Sequence, residues 1–502
     1  VVAPVVVAVL AIGAGLVAAA PADALIDRTA PTKPTGLVAT SVTSSQIGLA
    51  WNRSTDNVAV AGYYVYRGTV RKTVTTNSLV DTGLSASTSY SYSVAAFDRA
   101  GNVSARSSSV TVRTAAAGLP PLPALPSPPA APTTSGGVAL SGCTSITAPG
   151  TYTLAADLVA PADTTCLNVH DTTNVTLDCR GHGITSAGST VATIIVNVTN
   201  VSAFNLFNCT IRPAPESATN YLNEDLALTN VNGGTIQHDQ FLQRTLVVLS
   251  QTSSLAFTDN TIDGMLQSDH GSGNSFRWLR ANMSGFSGSA TVSLSSGDHD
   301  TVQYSTIDGG GGTGPSGNYG MDDALLLQWE TAPTVDSNVI AHAWDCVIET
   351  MGLLTGAKFT NNQLTAGVAC GIGGWWWSSW HANLVRNNRI DSSGTMLWLF
   401  RLGGLDTAHN ETTVYFDQNT IDSNGVTHPT GAYAANVDLT VADNPALSGV
   451  PLVAGSNVVS NNDWRGSQYP PILIPASMFA DGGGNLCNAS TDPRTATVRC
   501  NS

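Results

Sequence analysis

Apolar and polar positions alternate in short runs over residues 31–115. The segments IGLAW, YYVYR and YSYSVAAFD carry the β-branched and aromatic side chains of strands, and Ser54-Thr55-Asp56-Asn57 and Asp98-Arg99-Ala100-Gly101-Asn102 supply the turns between them. A period of two over one module of this size predicts a β-sandwich. From residue 138 the pattern becomes a loose repeat: a short apolar strand, then Asn, one further residue, and Ile or a relative. Members are Asn208-Cys209-Thr210-Ile211, Asn260-Thr261-Ile262, Asn338-Val339-Ile340, Asn362-Gln363-Leu364, Asn388-Arg389-Ile390 and Asn419-Thr420-Ile421, with Asn282-Met283 and Ser305-Thr306-Ile307 degenerate. The spacings are 282 − 260 = 22, 305 − 282 = 23, 338 − 305 = 33, 362 − 338 = 24, 388 − 362 = 26 and 419 − 388 = 31. Nothing here has the 3.6 period of a helix. A unit in the low twenties with insertions predicts a solenoid of short strands with Gly and Asn at the corners. The asparagines are assigned a structural task, stacking coil on coil through their amides.

Between the two patterns, residues 116–137 hold seven prolines (Pro120, Pro121, Pro123, Pro126, Pro128, Pro129, Pro132). They impose extended polyproline II geometry and predict a semi-rigid spacer. At the other end, Val5 to Ala20 form the apolar run VVVAVLAIGAGLVAAA, followed by Ala22-Asp23-Ala24. A short apolar core with a small-x-small site predicts an export signal over residues 1–24, cleaved after Ala24. The run is short for a membrane span, so no membrane attachment is expected after cleavage.

Two resemblances attach to these residues. Pro34-Thr35-Gly36-Leu37, Trp51, Gly62-Tyr63-Tyr64-Val65-Tyr66-Arg67, Asp81-Thr82-Gly83-Leu84, Tyr90-Ser91-Tyr92 and Ala100-Gly101-Asn102-Val103-Ser104 resemble the fibronectin type III modules of bacterial carbohydrate-degrading enzymes. That resemblance implies a spacer or weak binding module over 31–115, with Trp51 in its core. Residues 138–502 resemble the right-handed parallel β-helix superfamily that includes pectate lyases and polygalacturonases. Pro149-Gly150-Thr151-Tyr152-Thr153-Leu154 and Asn174-Val175-Thr176-Leu177-Asp178-Cys179-Arg180-Gly181-His182-Gly183-Ile184 look like its first coils. The expected fold is therefore all-β: a right-handed parallel β-helix preceded by a fibronectin type III sandwich. Gly181-His182-Gly183 matches a catalytic triplet of polygalacturonases, but it precedes every Asp pair and falls in a first-coil turn, so it is read as structural.

Charge narrows the function. A formal net charge of −14 argues against nucleic acid or an anionic membrane as partner, since both require basic patches. The eight cysteines include no CxxC pair and fall into four neighbours: Cys143 with Cys166, Cys179 with Cys209, Cys346 with Cys370, and Cys487 with Cys500. An even count in an exported chain reads as disulfides.

One constellation bears chemistry. Asp322-Asp323-Ala324-Leu325-Leu326 aligns with Trp344-Asp345-Cys346-Val347-Ile348 at 345 − 323 = 22, and Val368-Ala369-Cys370-Gly371-Ile372 follows at 24. That register stacks Ala324, Cys346 and Cys370 inward with Leu326, Ile348 and Ile372, and turns Asp323, Asp345 and Glu349 outward. Coils about 4.8 Å apart would force one carboxyl pKa up, giving an acid and a base. Carboxyls about 5 Å apart suit a retaining glycosidase and about 6.5–9.5 Å an inverting one. Asp322, Asp323, Asp345 and Glu349 are thus the expected catalytic groups, with Asp298 and Asp300 of the preceding coil as further members. Trp375, Trp376, Trp377 and Trp380 offer flat faces for sugar stacking, and Arg401 is the main positive group near the face. Lys358 is the only Lys after the spacer, which leans the reading towards a neutral glycan. The expectation is a secreted glycoside hydrolase acting on an extracellular polysaccharide. The alternatives are a non-catalytic surface or adhesion β-helix and a polysaccharide lyase using Ca²⁺ held by the stacked carboxylates; no other cofactor is called for.

Overall fold

The computed structural model describes residues 27–501 apart from 86–87, 115–118, 120, 188–193, 213–222, 284–287, 311–320, 368, 375–376, 392–394, 400–402, 428–436, 440–448, 467–471, 474–477, 484 and 487–499. The export segment, Trp375, Trp376, Arg401 and the Cys487–Cys500 pairing lie outside the described residues. In the N-terminal module, strands Val38–Val42, Gln46–Ala50 and Ser78–Thr82 make one sheet, and Val70–Val74, Val60–Arg67, Ser89–Asp98 and Val110–Arg113 make the other. Trp51 is buried and meets Tyr63 edge-on at 5.3 Å, as a core tryptophan of a sandwich should.

From Val138 the chain winds into a right-handed parallel β-helix whose strands pair in parallel with their equivalents one coil on. In the middle coils a first sheet contains Gly288–Ser295, Met321–Gln328, Cys346–Met351 and Cys370–Gly374; a second contains Ser275–Arg277, Thr301–Gln303, Thr334–Asp336 and Lys358–Thr360; a third contains Arg280–Asn282, Thr306–Asp308, Val339–Ala343 and Gln363–Gly367. Inward side chains stack by type. Phe257 and Phe276 are paired equivalents with ring centroids 6.1 Å apart, and Phe241, from the neighbouring sheet, meets Phe257 at 6.0 Å. Parallel pairing superposes equivalent residues, so one buried column continues through every coil.

Two asparagine ladders hold the corners. Between the second and third sheets one residue takes a left-handed conformation, among them Asn361 (φ 58°) and Asn387 (φ 56°). The residue after it is the ladder member. Asn362 donates its N–H to Asn388 Oδ1 at 3.0 Å, while its Nδ2 donates to the same oxygen at 3.0 Å and to Val335 O at 2.9 Å. Asn338, Asn388, Asn424 and Asn462 repeat the arrangement, and Ser305 continues it. A second ladder, at the corner leading into the second sheet, runs through Asn383, Asn419 and Asn457. Asn419 therefore belongs to a different ladder from Asn388, whose true successor is Asn424. Asn-x-Ile marks both corners, and the sequence pattern merges them. Asn208 and Asn282 are not rungs: Cys209 takes the ladder place beside Asp239, and Asn282 pairs with Asp263 and Asp308 inside strands.

Three disulfides join neighbouring coils: Cys143–Cys166, Cys179–Cys209 and Cys346–Cys370, the last with Cα atoms 4.4 Å apart. The proline-rich segment is not a free spacer. It lies along the corner between the second and third sheets as a strap, exchanging hydrogen bonds with several coils. Trp278 Nε1 donates to Pro126 O, Gln237 Nε2 to Ala130 O and Asn208 Nδ2 to Pro132 O, at 2.9, 3.0 and 2.9 Å. Thr134 Oγ1 donates to Asp178 Oδ2 at 2.6 Å, and Arg180 Nη2 to Gly136 O at 2.9 Å. Proline's carbonyls remain free acceptors although its ring removes the donor, so a polyproline strand suits a wall of side-chain donors.

Two outcomes follow. A chain beginning at residue 138 should unfold at lower urea than one beginning at residue 121, because five strap hydrogen bonds worth about 0.5–1.5 kcal/mol each are lost; equal midpoints would show that the strap contributes nothing. Asn388→Ala should cost on the order of 3 kcal/mol in the same measurement, since it strips the partners of Asn362 N–H and Phe359 O inside the coil.

Candidate active site at an acidic corner

The expected carboxylate register is off by one. Leu325 pairs with Ile348 and Leu326 with Glu349, an offset of 348 − 325 = 23. A one-residue slip in a strand exchanges its faces. Leu325, not Leu326, shares the inner stripe with Ile348 and Ile372. Glu349 stands in an outer row with Leu326, Gly373 and Trp398. Cys346 and Cys370 do pair, but they cluster with Ala369 and Trp398 rather than with the inner stripe. Asp323, Asp345 and Glu349 are all buried, at 3, 8 and 6% exposure, so none of them presents a carboxylate on an open outer face. Asp322 lies in the same strand as Asp323, and its side chain is outside the described residues. Trp380 is no sugar platform: it is fully buried, stacks on Phe359 at 5.7 Å and donates to Thr350 Oγ1 at 2.9 Å. Trp377 is half-buried in the turn after Cys370–Gly374.

The structure instead gathers carboxyls at the turn that carries the chain from the first sheet to the second. Bridges Ser272–Asp298, Asp298–Thr331 and Thr331–Thr355 stack this turn over successive coils. Small residues make the room. A side chain at Gly297 would run into Glu330 Oε1 at 2.6 Å, and one at Gly271 into Asp300 Oδ2 at 2.4 Å, so each glycine leaves a slot that a carboxyl of the next coil fills. Glu330 accepts from Gly297 N at 2.9 Å through Oε1, and Asp300 from Asn274 N at 2.7 Å through Oδ1. Their second oxygens, Oε2 and Oδ2, are buried without a hydrogen-bond partner, as is the neighbouring Ser268 Oγ.

Burial, with the charge of Asp298, pushes the Asp300 carboxyl up to about 6; burial, with the charges of Asp300, Asp298 and Asp269, pushes Glu330 up to about 8. Outside them, Asp269 and Asp298 are half-exposed, each bonded to the Nδ1 of the next residue, His270 at 2.8 Å and His299 at 2.7 Å. Those imidazoles keep Nε2 for solvent or a ligand. One coil on, Trp329 stacks on His409 with centroids 3.7 Å apart, and Asp406 Oδ2 clamps both, accepting from Trp329 Nε1 at 2.9 Å and bonding His409 Nδ1 at 2.8 Å.

The sequence reading reached Asp298 and Asp300 as outlying members but missed Asp269, Glu330, Trp329, Asp406 and His409. The repeated Asp-His doublets, 269–270 and 298–299, were the available signal. Separately, within the N-terminal module, ligand oxygens of Asp27, Asp56 and Asp98 lie within 4.8 Å of one another.

Residues 32–113 match the model of the fibronectin type III domain. Over this stretch the chain is 57% identical across 91 residues to exoglucanase B of Cellulomonas fimi, covering 18% of this chain and 8% of that protein. It is 54% identical across 91 residues to chitinase A1 of Niallia circulans, covering 18% and 13%. The match thus spans only a small part of these relatives. Among solved structures, the Family 28 exopolygalacturonase of Yersinia enterocolitica aligns over 92% of this chain and 99% of its own, at 10% identity and a TM-score of 0.30.

Asp406→Ala should release the loop that carries His409. Amide exchange at His409 and Glu411, whose N–H groups bond Asp406 O, should quicken by about tenfold or more for the loss of two side-chain hydrogen bonds; unchanged exchange would mean that the clamp does not hold the loop. With the strand pairing above, residues 32–113 are a fibronectin type III domain, and the chain beyond the strap is a right-handed parallel β-helix.

Proposed function

We propose that this chain is a secreted glycoside hydrolase acting on an extracellular polysaccharide, with the acidic corner as its reacting site. The observation that carries this reading is the layering of carboxyls: Asp269 and Asp298 half-exposed, with Asp300, raised to about 6, and Glu330, raised to about 8, behind them. Hydrolysis of a glycosidic bond needs one group that gives a proton to the leaving oxygen and one that takes a proton from water, hence carboxyls whose environments separate their pKa values. Asp298 and Asp269 are the groups a sugar can touch. Asp300 and Glu330 act behind them as a proton store, and the free Nε2 atoms of His270 and His299 suit sugar hydroxyls. A fibronectin type III domain similar to those of an exoglucanase and a chitinase supports a polysaccharide as partner. The buried pair Asp345 and Glu349 is the rival location.

A second reading, a non-catalytic β-helix scaffold, is favoured by one observation: Asp300 occupies a ladder position that asparagine holds in other coils. Reducing-end release across a panel of polysaccharides separates the two. Asp298→Asn should lower the rate on the cleaved polymer by about 10²–10⁴-fold with an unchanged melt, while Asp345→Asn should leave it near the parent's. The opposite order would move the site to the first sheet, and no release on any polymer would leave the scaffold.

A further inference from the structure

The two asparagine ladders contain two positions where the residue is not asparagine but aspartate. In the ladder at the third sheet, Cys209 N–H donates to Asp239 Oδ1 at 2.7 Å and Asp239 N–H donates to Asn260 Oδ1 at 2.9 Å, the same backbone links that Asn362 and Asn388 make. In the ladder at the second sheet, Leu255 N–H donates to Asn274 Oδ1 at 3.0 Å and Asn274 N–H to Asp300 Oδ1 at 2.7 Å. Each aspartate therefore places Oδ1 where an asparagine places its amide oxygen.

The second oxygen then falls where asparagine carries an NH₂ that donates to a carbonyl of the preceding coil. Asn260 Nδ2 gives its hydrogen to Ile236 O at 2.8 Å, and Asn274 Nδ2 gives one to Thr252 O at 3.3 Å. By register, the carbonyl equivalent to Ile236 O is that of Leu206 for Asp239, and the one equivalent to Thr252 O is that of Gly271 for Asp300. Asp300 Oδ2 does lie against Gly271. An ionised oxygen facing a carbonyl is repelled; a hydroxyl in the same place donates to it. Both Oδ2 atoms are buried without a partner as acceptors, with the residues 1% exposed. We propose that Asp239 and Asp300, when protonated, stand in for asparagine in the ladders, and that they form a built-in pH sensor that loosens these two corners as the pH rises.

The groups around them act in the same direction. Asp300 is faced by Glu330 and Asp298, with His299 bonded to Asp298, and by Ser268 and Asn274 of the coil before, whose Asp269 is paired with His270. Among the described residues no cation is bonded to the carboxyl of Asp300. Asp239 is faced by Asp178 and flanked by His238, which bonds Asp259 at 3.0 Å, while Arg280 bonds Asp259 at 2.9 Å. The nearby positive groups are thus already taken by Asp259. Burial raises both ladder acids, Asp239 well above the ordinary carboxylate range. The sign follows: each acid keeps its proton in the folded state after the unfolded chain has lost it, so its stability is full below about pH 4 and lost as pH rises through the folded value.

The full chain carrying Asp239→Asn, Asp300→Asn or both tests this without reference to any activity. Asparagine fits both ladders and cannot ionise, so the urea midpoint of the double variant should match the parent's near pH 4 and exceed it at about pH 8. The parent's midpoint should fall between those values, and the variant's should fall less. The infrared C=O stretch of protonated carboxyls should persist in the parent at about pH 7 and weaken in the double variant. A double variant that misfolds, or that melts at or below the parent's midpoint at about pH 8, overturns the proposal. So does a carboxyl signal that is absent from the parent or identical in the two proteins.

Discussion

The β-helix depends on what satisfies the backbone at its corners. Strands within each sheet bond to the coils above and below, but where the chain turns a left-handed residue swings the next N–H along the helix axis with no strand partner, deep inside the molecule. An unpaired buried N–H costs about 1–3 kcal/mol, and the corner recurs in every coil. An asparagine amide answers it with one acceptor and two donors, bonding one coil forward and one coil back. Because each rung bonds the next, the ladder fixes the stacking of coils as firmly as the strands do, and it lets the loops between the third and first sheets vary without disturbing the wall.

That constraint explains how much was legible in the sequence. The asparagines announced the solenoid, and Asn338, Asn362 and Asn388 were placed in the right ladder because each step is a single coil of 24 or 26 residues, while Asn260 shares that corner through Leu279 and Ser305. The period failed where the chain carries two ladders with one local signature, as at Asn419. The carboxylate register failed for a related reason. Asp323 and Asp345 sit where the chain enters the first sheet, after loops of unequal length, so the 22-residue count inherited a loop's irregularity and missed the true 23. A strand has a period of two, and an error of one residue reverses every inference about faces. The disulfide between Cys346 and Cys370 survived because their separation crosses a single regular coil.

The tryptophans show a second limit. A cluster at 375–380 reads as an exposed platform, because consecutive bulky rings cannot all point into a narrow core. Yet Trp380 enters a small extra sheet, Ser379–His381 against Leu353–Thr355, and fills the space beside Phe359. The strap was misread in a comparable way: proline content gives its stiffness correctly but says nothing of the donors waiting along the corner at Trp278, Gln237 and Asn208.

Aspartate dominates the electrostatics of the corners and of the coil interior. Every described histidine bonds an aspartate through Nδ1, and four of them take a left-handed conformation: His238, His270, His299 and His342. For His342 the hydrogen bond to Asp308 raises the imidazole pKa, so its share of stability is present below the unfolded value and lost as pH rises. Buried Asp225, raised to about 8 by desolvation, has the same sign although it sits in a strand and in no ladder. A net charge of −14 adds repulsion that grows as the remaining acids ionise. His342, the acids buried inside the coil and the overall charge lose ground as pH rises, whereas Asp157, Asp171, Asp178 and Asp422, which hydrogen bonds hold below the ordinary carboxylate range, lose their share as pH falls. A wall carrying groups of both signs should hold most firmly between the two ranges, where the lowered aspartates are ionised and the buried acids keep their protons.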